Sequence, residues 1–358
     1  MKKLALIILF CIAGKAYAQN YRSEEVTFTN DTTQLAGTLS FPKGEGPFPV
    51  VVLISGSGAQ DRNSDLMGFK VFKIMADSLN EAGIAVLRYD ERGVGKSTGK
   101  SVGNSTSAEL AEDVLSAVHL LSERKDISSI GMLGHSEGGI IAPMVEVQSE
   151  EVDFLILLAG PGIPGKEVIA TQQKAMLAQN PTFTEDYIEE AIKVNSIIME
   201  MMSETSLSEE QAVDSIASLL KESIKKLPDA IKNSITDPDL FSKTQANNAY
   251  KQFQSEWIKY FISYDPLPTL KKVDEPILLL FGGKDLQVTE ADNRPSMEQV
   301  LKEAGHKQVT IKVFPEANHL FQKANTGSPM EYATLDKAFI SGLLPLIADW
   351  IKTEGVKK

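Results

Sequence analysis

The sequence predicts an α/β protein: a mostly parallel sheet with helices on both faces and an inserted α-helical cap. Three observations carry that expectation. Apolar runs of strand length alternate with helix-periodic segments in the first half of the chain and again near its end. Between them, over residues 165–270, the alternation stops and the periodicity is helical. At the end of one apolar run, Gly134-His135-Ser136-Glu137-Gly138 sets a serine between glycines where a strand should turn into a helix.

Residues 1–18 stand apart from this pattern. Lys2 and Lys3 precede an apolar run over residues 4–13, and Ala16-Tyr17-Ala18 precedes Gln19, which reads as a secretory signal peptide cleaved after Ala18. The run is too short for a membrane anchor. Cys11, the only cysteine, lies inside it, and Phe10 is not the small residue that a lipoprotein cleavage site needs. A mature chain without a thiol forms no disulfide, uses no cysteine nucleophile and builds no thiolate metal site. That suits an exported protein, periplasmic or secreted. The formal charge of −12 becomes −15 when Lys2, Lys3 and Lys15 leave with the leader. So acidic a chain is a poor partner for nucleic acid or an anionic membrane. The expected division is a leader (1–18), a core (19–164 and 271–358) and a helical cap (165–270). With 42% hydrophobic and 23% charged residues, the chain has the composition of an ordinary globular protein.

The elements follow in order. Residues 26–29 and 35–41 alternate apolar and polar on either side of Asn30-Asp31, which predicts an antiparallel hairpin at a sheet edge. Residues 48–54 run apolar without a break, as a strand buried on both faces does, and give way to Ser55-Gly56-Ser57-Gly58. Residues 69–79 have helical spacing. Residues 84–89 form the next buried strand, which ends in Asp90-Glu91-Arg92-Gly93-Val94-Gly95-Lys96-Ser97. Leu110, Val114, Val118 and Leu121 share one stripe of a helix over 108–121. A strand over 127–133 carries Ser136 at its end. The helix that follows, over 139–147, tolerates Pro143 only in its first turn. Residues 154–160 are a further strand. In the insertion, segments 185–202, 208–227 and 246–261 are helix-periodic. Met176, Met199, Met201 and Met202 there either line a pliable apolar pocket or pack between helices. The α/β pattern resumes with a strand over 276–281, a helix near 296–304, a strand over 309–314 and an amphipathic closing helix over 339–351.

The stretch around Ser136 has the G-x-S-x-G form of a nucleophile elbow, in which a tight strand-to-helix turn presents a serine hydroxyl at the end of a sheet. Such a hydroxyl needs a base, and the base needs an orienting acid. The chain has four histidines. His135 sits inside the elbow, where its side chain should point elsewhere. His119 lies within a helix, and His306 falls at the far end of the strand it precedes. His319 follows the 309–314 strand and shares an edge with Ser136 if the strands are parallel. It is the expected base. Asp285, just past the 276–281 strand, is the expected acid, with Glu290 and Asp292 as fallbacks. The oxyanion donors expected are the N–H of Glu137 and one N–H from the Ser55–Gly58 loop: Ser57, or else Gly58 or Gly56.

Together the elbow, the order Ser136…Asp285…His319, the glycine-rich loop after the third strand and Asp90-x-Arg92-Gly93-x-Gly95-x-Ser97 after the fourth resemble the α/β-hydrolase family. Within it the chain is similar to bacterial esterases and serine-aminopeptidase-like hydrolases with a helical cap. The resemblance covers residues 24–165 and 270–355. It implies a triad of Ser136, Asp285 and His319, Glu137 as an oxyanion donor, and a structural part for the Asp90/Arg92 loop. The loop that begins Ser55-Gly56 departs from the His-Gly common in lipases and esterases, which leaves the second oxyanion donor open.

Two other patterns carry no chemistry. Residues 93–97 match the tail of a nucleotide P-loop, yet the earlier glycine which that loop requires falls at Asp90. Glu185, Asp186, Glu189 and Glu190 read as a solvated helix face. No cofactor and no metal are expected. The function expected is cleavage of a small-molecule carboxylic ester through an acyl-enzyme. The alternatives are a serine aminopeptidase or amidase acting on short peptides, whose cap would have to offer an acid to the substrate amine, and a non-catalytic binding protein on the same scaffold. No oligomeric state is assigned.

Overall fold

β1 (Arg22–Asn30) and β2 (Thr33–Phe41) form the edge hairpin, paired antiparallel from Arg22↔Phe41 to Asn30↔Thr33. Their alternation buries Phe28, Leu35, Leu39 and Phe41 against the core. β3 (Phe48–Ile54) leads to a two-residue-strand hairpin, β4 (Asp65–Leu66) and β5 (Phe69–Lys70), then to α1 (Val71–Glu81) and β6 (Ala85–Tyr89). α2 (Ser107–Ser122), β7 (Ile127–His135), α3 (Gly138–Glu146) and β8 (Phe154–Leu158) follow. The insertion supplies α4 (Gly165–Leu177), α5 (Glu185–Glu204), α6 (Glu209–Lys225), α7 (Asp229–Lys232), α8 (Pro238–Gln254), α9 (Glu256–Ser263) and α10 (Leu267–Leu270). β9 (Ile277–Gly282), α11 (Glu290–Glu303), β10 (Val309–Phe314) and α12 (Leu343–Trp350) complete this computed structural model, which describes residues 21–204 and 207–356. The expected leader, its cleavage point after Ala18 and Cys11 lie outside the described residues.

Eight strands form one sheet in the order β1-β2-β6-β3-β7-β8-β9-β10. β2 runs antiparallel to both neighbours, and every pair from β6 to β10 is parallel. The unbroken apolar runs are explained by burial on both faces. Val50, Val52 and Ile54 enter the layer beneath α2 and α3, while Val51 and Leu53 enter the layer beneath α1 and α12. Parallel pairing puts the C-terminal ends of β3, β7, β9 and β10 on one edge, where open α/β sheets bind ligands.

The insertion leaves and rejoins the core at one point, where Gly165 N–H donates to Tyr264 O at 3.0 Å. Its helices bury a small core of their own, including Val194, Ile198, Val213, Ile216 and Phe253. Met199 belongs to that core and Met201 and Met202 pack against it, so these methionines serve helix packing. Among the described residues no helix is long and apolar enough to cross a membrane.

Local chemistry was overridden in several places. Pro143 is the sixth residue of α3, beyond the first turn that the sequence required of it. The helix is buried along its whole length, and packing outweighs the backbone bond that proline cannot make. The segment 246–261 is two helices, broken at Ser255, whose backbone is extended. α8 starts earlier, with Asp237 as N-cap and Pro238 in the first turn. α11 begins at Glu290, and the closing helix only at Leu343, after Gly342 turns the chain at φ +88°.

Candidate active site

The elbow is built by close approach. A side chain at Gly134 would meet Gly138 O at 1.9 Å, and one at Gly138 would meet Ile54 O at 2.3 Å, so neither position admits a Cβ. Between them Ser136 is held at φ +54°, a conformation a serine adopts only when its surroundings impose it. Two backbone bonds do so: Ser136 N–H to Leu158 O at 2.9 Å, and Gly139 N–H to Ser136 O at 2.8 Å. Glu137 follows at the N-terminus of α3, where the helix dipole favours negative charge.

His319 lies beyond β10 and Asp285 beyond β9. The His319 Nδ1–H donates to Asp285 Oδ2 at 2.7 Å, with both side chains sealed from solvent. Asp285 Oδ1 accepts from the N–H groups of Gln287 at 2.7 Å and Val288 at 2.9 Å, which fixes the carboxylate. His319 and Ser136 stand on the wall of the same cavity, of about 450 Å³. The two fallback acids are engaged elsewhere: Glu290 pairs with Arg294, and Asp292 Oδ2 accepts from Thr289 Oγ1 at 2.5 Å.

His135 does not point away as the sequence suggested. Its ring lies 4.8 Å from that of His319, and its Nε2 lies 2.8 Å from His319 O. A carbonyl only accepts, so Nε2 carries the proton. Burial, with His319 beside it, holds the imidazole down at about 3, and the ring stays neutral. His135 is therefore a prop that fixes the His319 backbone. His119 is exposed beside Glu151, and His306 bonds Glu275 O at the opposite end of β10.

The Ser55–Gly58 loop reaches the elbow because Gly56 has no side chain; a Cβ there would lie 2.9 Å from Ser136 Cβ. Gly56 and Ser57 face the cavity, and Gly58 turns the loop at φ +92° outside that wall. The loop is clamped by Glu91, which accepts from Ser55 Oγ at 2.6 Å and Gln60 N–H at 2.7 Å. Asp90 and Arg92 are structural. Arg62 binds both oxygens of Asp90, and Arg92 holds buried Asp113 through Nε at 2.6 Å and Nη2 at 2.7 Å. The insertion closes one side of the cavity with Val168, Ile169, Trp257, Ile258 and Phe261. Trp257 and Phe261 stack at 5.3 Å. Sequence reasoning did not find these two rings or the Glu137 side chain, which Trp257 contacts. Among the described residues no cluster of three or more His, Cys, Asp or Glu could hold a metal.

A mostly parallel sheet, a serine elbow after one strand and an acid–histidine pair after two others define an α/β-hydrolase. The family model described as serine aminopeptidase, S33, matches residues 68–323, and the chain belongs to that family of hydrolases. Esterase EstD of Thermotoga maritima is 30% identical over 319 residues, covering 88% of this chain; the chain spans 64% of that relative's length. Among solved structures the fold is similar to an esterase of Pyrococcus furiosus, with TM-score 0.55 at 14% identity over 94% of this chain and 92% of that one. It is also similar to a proline iminopeptidase of Mycobacterium smegmatis, with TM-score 0.53 at 14% identity over 93% and 99%.

Proposed function

We propose that the protein is a serine hydrolase that cleaves carboxylic esters through an acyl-enzyme. The observation that carries this reading is the buried Asp285–His319 pair, whose histidine lines a cavity shared with a serine held at positive φ. Ser136 Oγ attacks the ester carbonyl and His319 Nε2 takes its proton. Asp285 holds Nδ1–H, which fixes the tautomer and stabilises the imidazolium. The N–H groups of Glu137 and Ser57 receive the oxyanion. His319 then protonates the departing alcohol. A water, deprotonated by His319, releases the acid and restores Ser136.

The apolar wall contributed by Val168, Ile169, Ile258 and Phe261 suits a small or medium acyl group. The esterase activity named for EstD supports the same choice. An aminopeptidase or amidase is the second reading, favoured by the family's description. It needs an acid to meet the substrate amine. Among the described residues that the insertion sets on the cavity wall none is acidic, and the core's Glu137 is already occupied by protein donors. Ser136→Ala should abolish turnover of p-nitrophenyl acetate and labelling by a fluorophosphonate while thermal unfolding is unchanged; undiminished turnover would sink the mechanism. Faster cleavage of aminoacyl anilides than of esters would reverse the order of the two readings. We also propose export, with Gln19 as the mature N-terminus. N-terminal sequencing of protein from the periplasm or medium tests this, and a chain retaining Met1 there would overturn it.

A further inference from the structure

The Glu137 side chain turns into a junction of elements from distant parts of the chain. Ser107 Oγ, at the start of α2, donates to its Oε1 at 2.6 Å, and Trp257 Nε1 of α9 donates to the same oxygen at 2.8 Å. Ser57 lines the same cavity wall as Glu137. Glu137 is 1% exposed. Its partners are neutral donors. Burial raises its carboxyl above the ordinary range, and those donors pull it back only in part. A buried acid held this way is unfavourable unless its geometry serves a purpose.

We infer that Glu137 is a positioning residue whose carboxylate couples the helical insertion to the oxyanion donor of the elbow. Its own backbone N–H is that proposed donor, and its side chain is gripped by Ser107 of α2. The second grip is Trp257, from the insertion. One residue thus joins an oxyanion donor to the element that walls the acyl side of the cavity. A shift of α9 that stretches the indole bond is passed to the Glu137 N–H through a single side chain. The inference rests on the esterase reading of Ser136.

The two tryptophans make the coupling measurable. Trp350 donates to Thr310 Oγ1 at the sheet's outer strand, so Trp350→Phe leaves Trp257 as the reporter. In that background, fluorophosphonate labelling of Ser136 should shift Trp257 emission, and Glu137→Gln should remove the shift. Glu137→Gln should also lower kcat for p-nitrophenyl acetate by roughly 10- to 100-fold with KM moved by less than ~3-fold. Trp257→Phe keeps the stack on Phe261 but loses the donor. It should lower kcat in the same sense, and the double variant should be no worse than Glu137→Gln alone. A retained emission shift, additive losses, or a loss confined to KM would each overturn the coupling. If Glu137→Gln fails to fold, an unchanged kcat in Trp257→Phe overturns it alone, and a reduced one supports it. A Trp350→Phe parent that takes no label removes the Ser136 reading, and this one with it. That failure is distinct from a labelled parent whose reporter ignores Glu137.

Discussion

The core and the insertion are held together by different physics. At the edge of the core that carries Ser136, charged groups are buried and closely partnered. Arg92 and Asp113 are 6% and 2% exposed, and Asp90 lies beneath a bidentate Arg62. In the insertion the ion pairs are at the surface, such as Lys221–Asp239 at 47% and 75% exposed and Lys243–Asp214 at 61% and 60%. Apolar seams do the joining there. A buried polar network has one low-energy arrangement and fixes atoms to the precision that chemistry needs. A helical seam fixes volume and leaves side chains replaceable. On the proposed reading, the contrast assigns the reaction to the core and acyl selection to the insertion.

The largest expected effect tests the core's side of this contrast. In Asp285→Asn the amide oxygen still accepts from Gln287 and Val288, but its NH2 faces His319 Nδ1 and imposes the wrong tautomer. Turnover of p-nitrophenyl acetate should fall by roughly 10⁴-fold, with the unfolding midpoint little changed. A loss below tenfold would mean that the pair is structural. Next comes Arg92→Ala. It leaves Asp113 buried with only the Asn30 amide and should cost about 3–5 kcal/mol in urea unfolding. A cost no greater than that of a surface pair would erase the distinction between the regions.

Glu91 gives the comparison a pH signature. Burial pushes its carboxyl up to about 8 from an ordinary 4.5, despite the hydrogen bonds from Ser55 and Gln60. Between those values the folded chain keeps a proton that the unfolded chain has lost, so stability falls as pH rises through the window and is level on either side. The contribution is at most on the order of 5 kcal/mol. Burial shifts Glu137 and Glu146 the same way, so the informative quantity is the difference from Glu91→Gln. Unfolding free energies at pH 5 and pH 8.5 should differ less in the variant than in the parent. Parallel profiles would show that the clamp on the Ser55–Gly58 loop is ionised throughout.

What was legible in the sequence follows the same division. Strands buried on both faces are continuous apolar runs, and chain order with parallel pairing was enough to bring Asp285 and His319 together. Scarcity helped, since three of four histidines could be set aside as bases. The direction of the His135 ring is not legible because side chains alternate only along extended backbone, and the turn at Ser136 breaks that alternation. The Trp257–Glu137 bond joins residues 120 apart and leaves no local signal. In the insertion, helical periodicity found α5 and α6 but not the break at Ser255, where extended backbone interrupts an otherwise helix-compatible stretch.

The smallest effect tests the insertion's side. Lys221 on α6 meets Asp239 at the start of α8 at 2.5 Å, a geometry that in the core would signal a strong pair. Here water competes for both groups, the long lysine side chain loses freedom on pairing, and salt screens what attraction remains. The seam beneath does not depend on them: Ile216 and Ala246 are fully buried where α6 and α8 pack. Lys221→Ala should therefore leave the unfolding midpoint unchanged at physiological salt, and raising the salt should not separate variant from parent. A drop approaching that of Arg92→Ala, relieved by salt in the parent, would mean that the insertion too is held by its charges. Acyl preference should then vary with ionic strength, which an apolar wall does not predict.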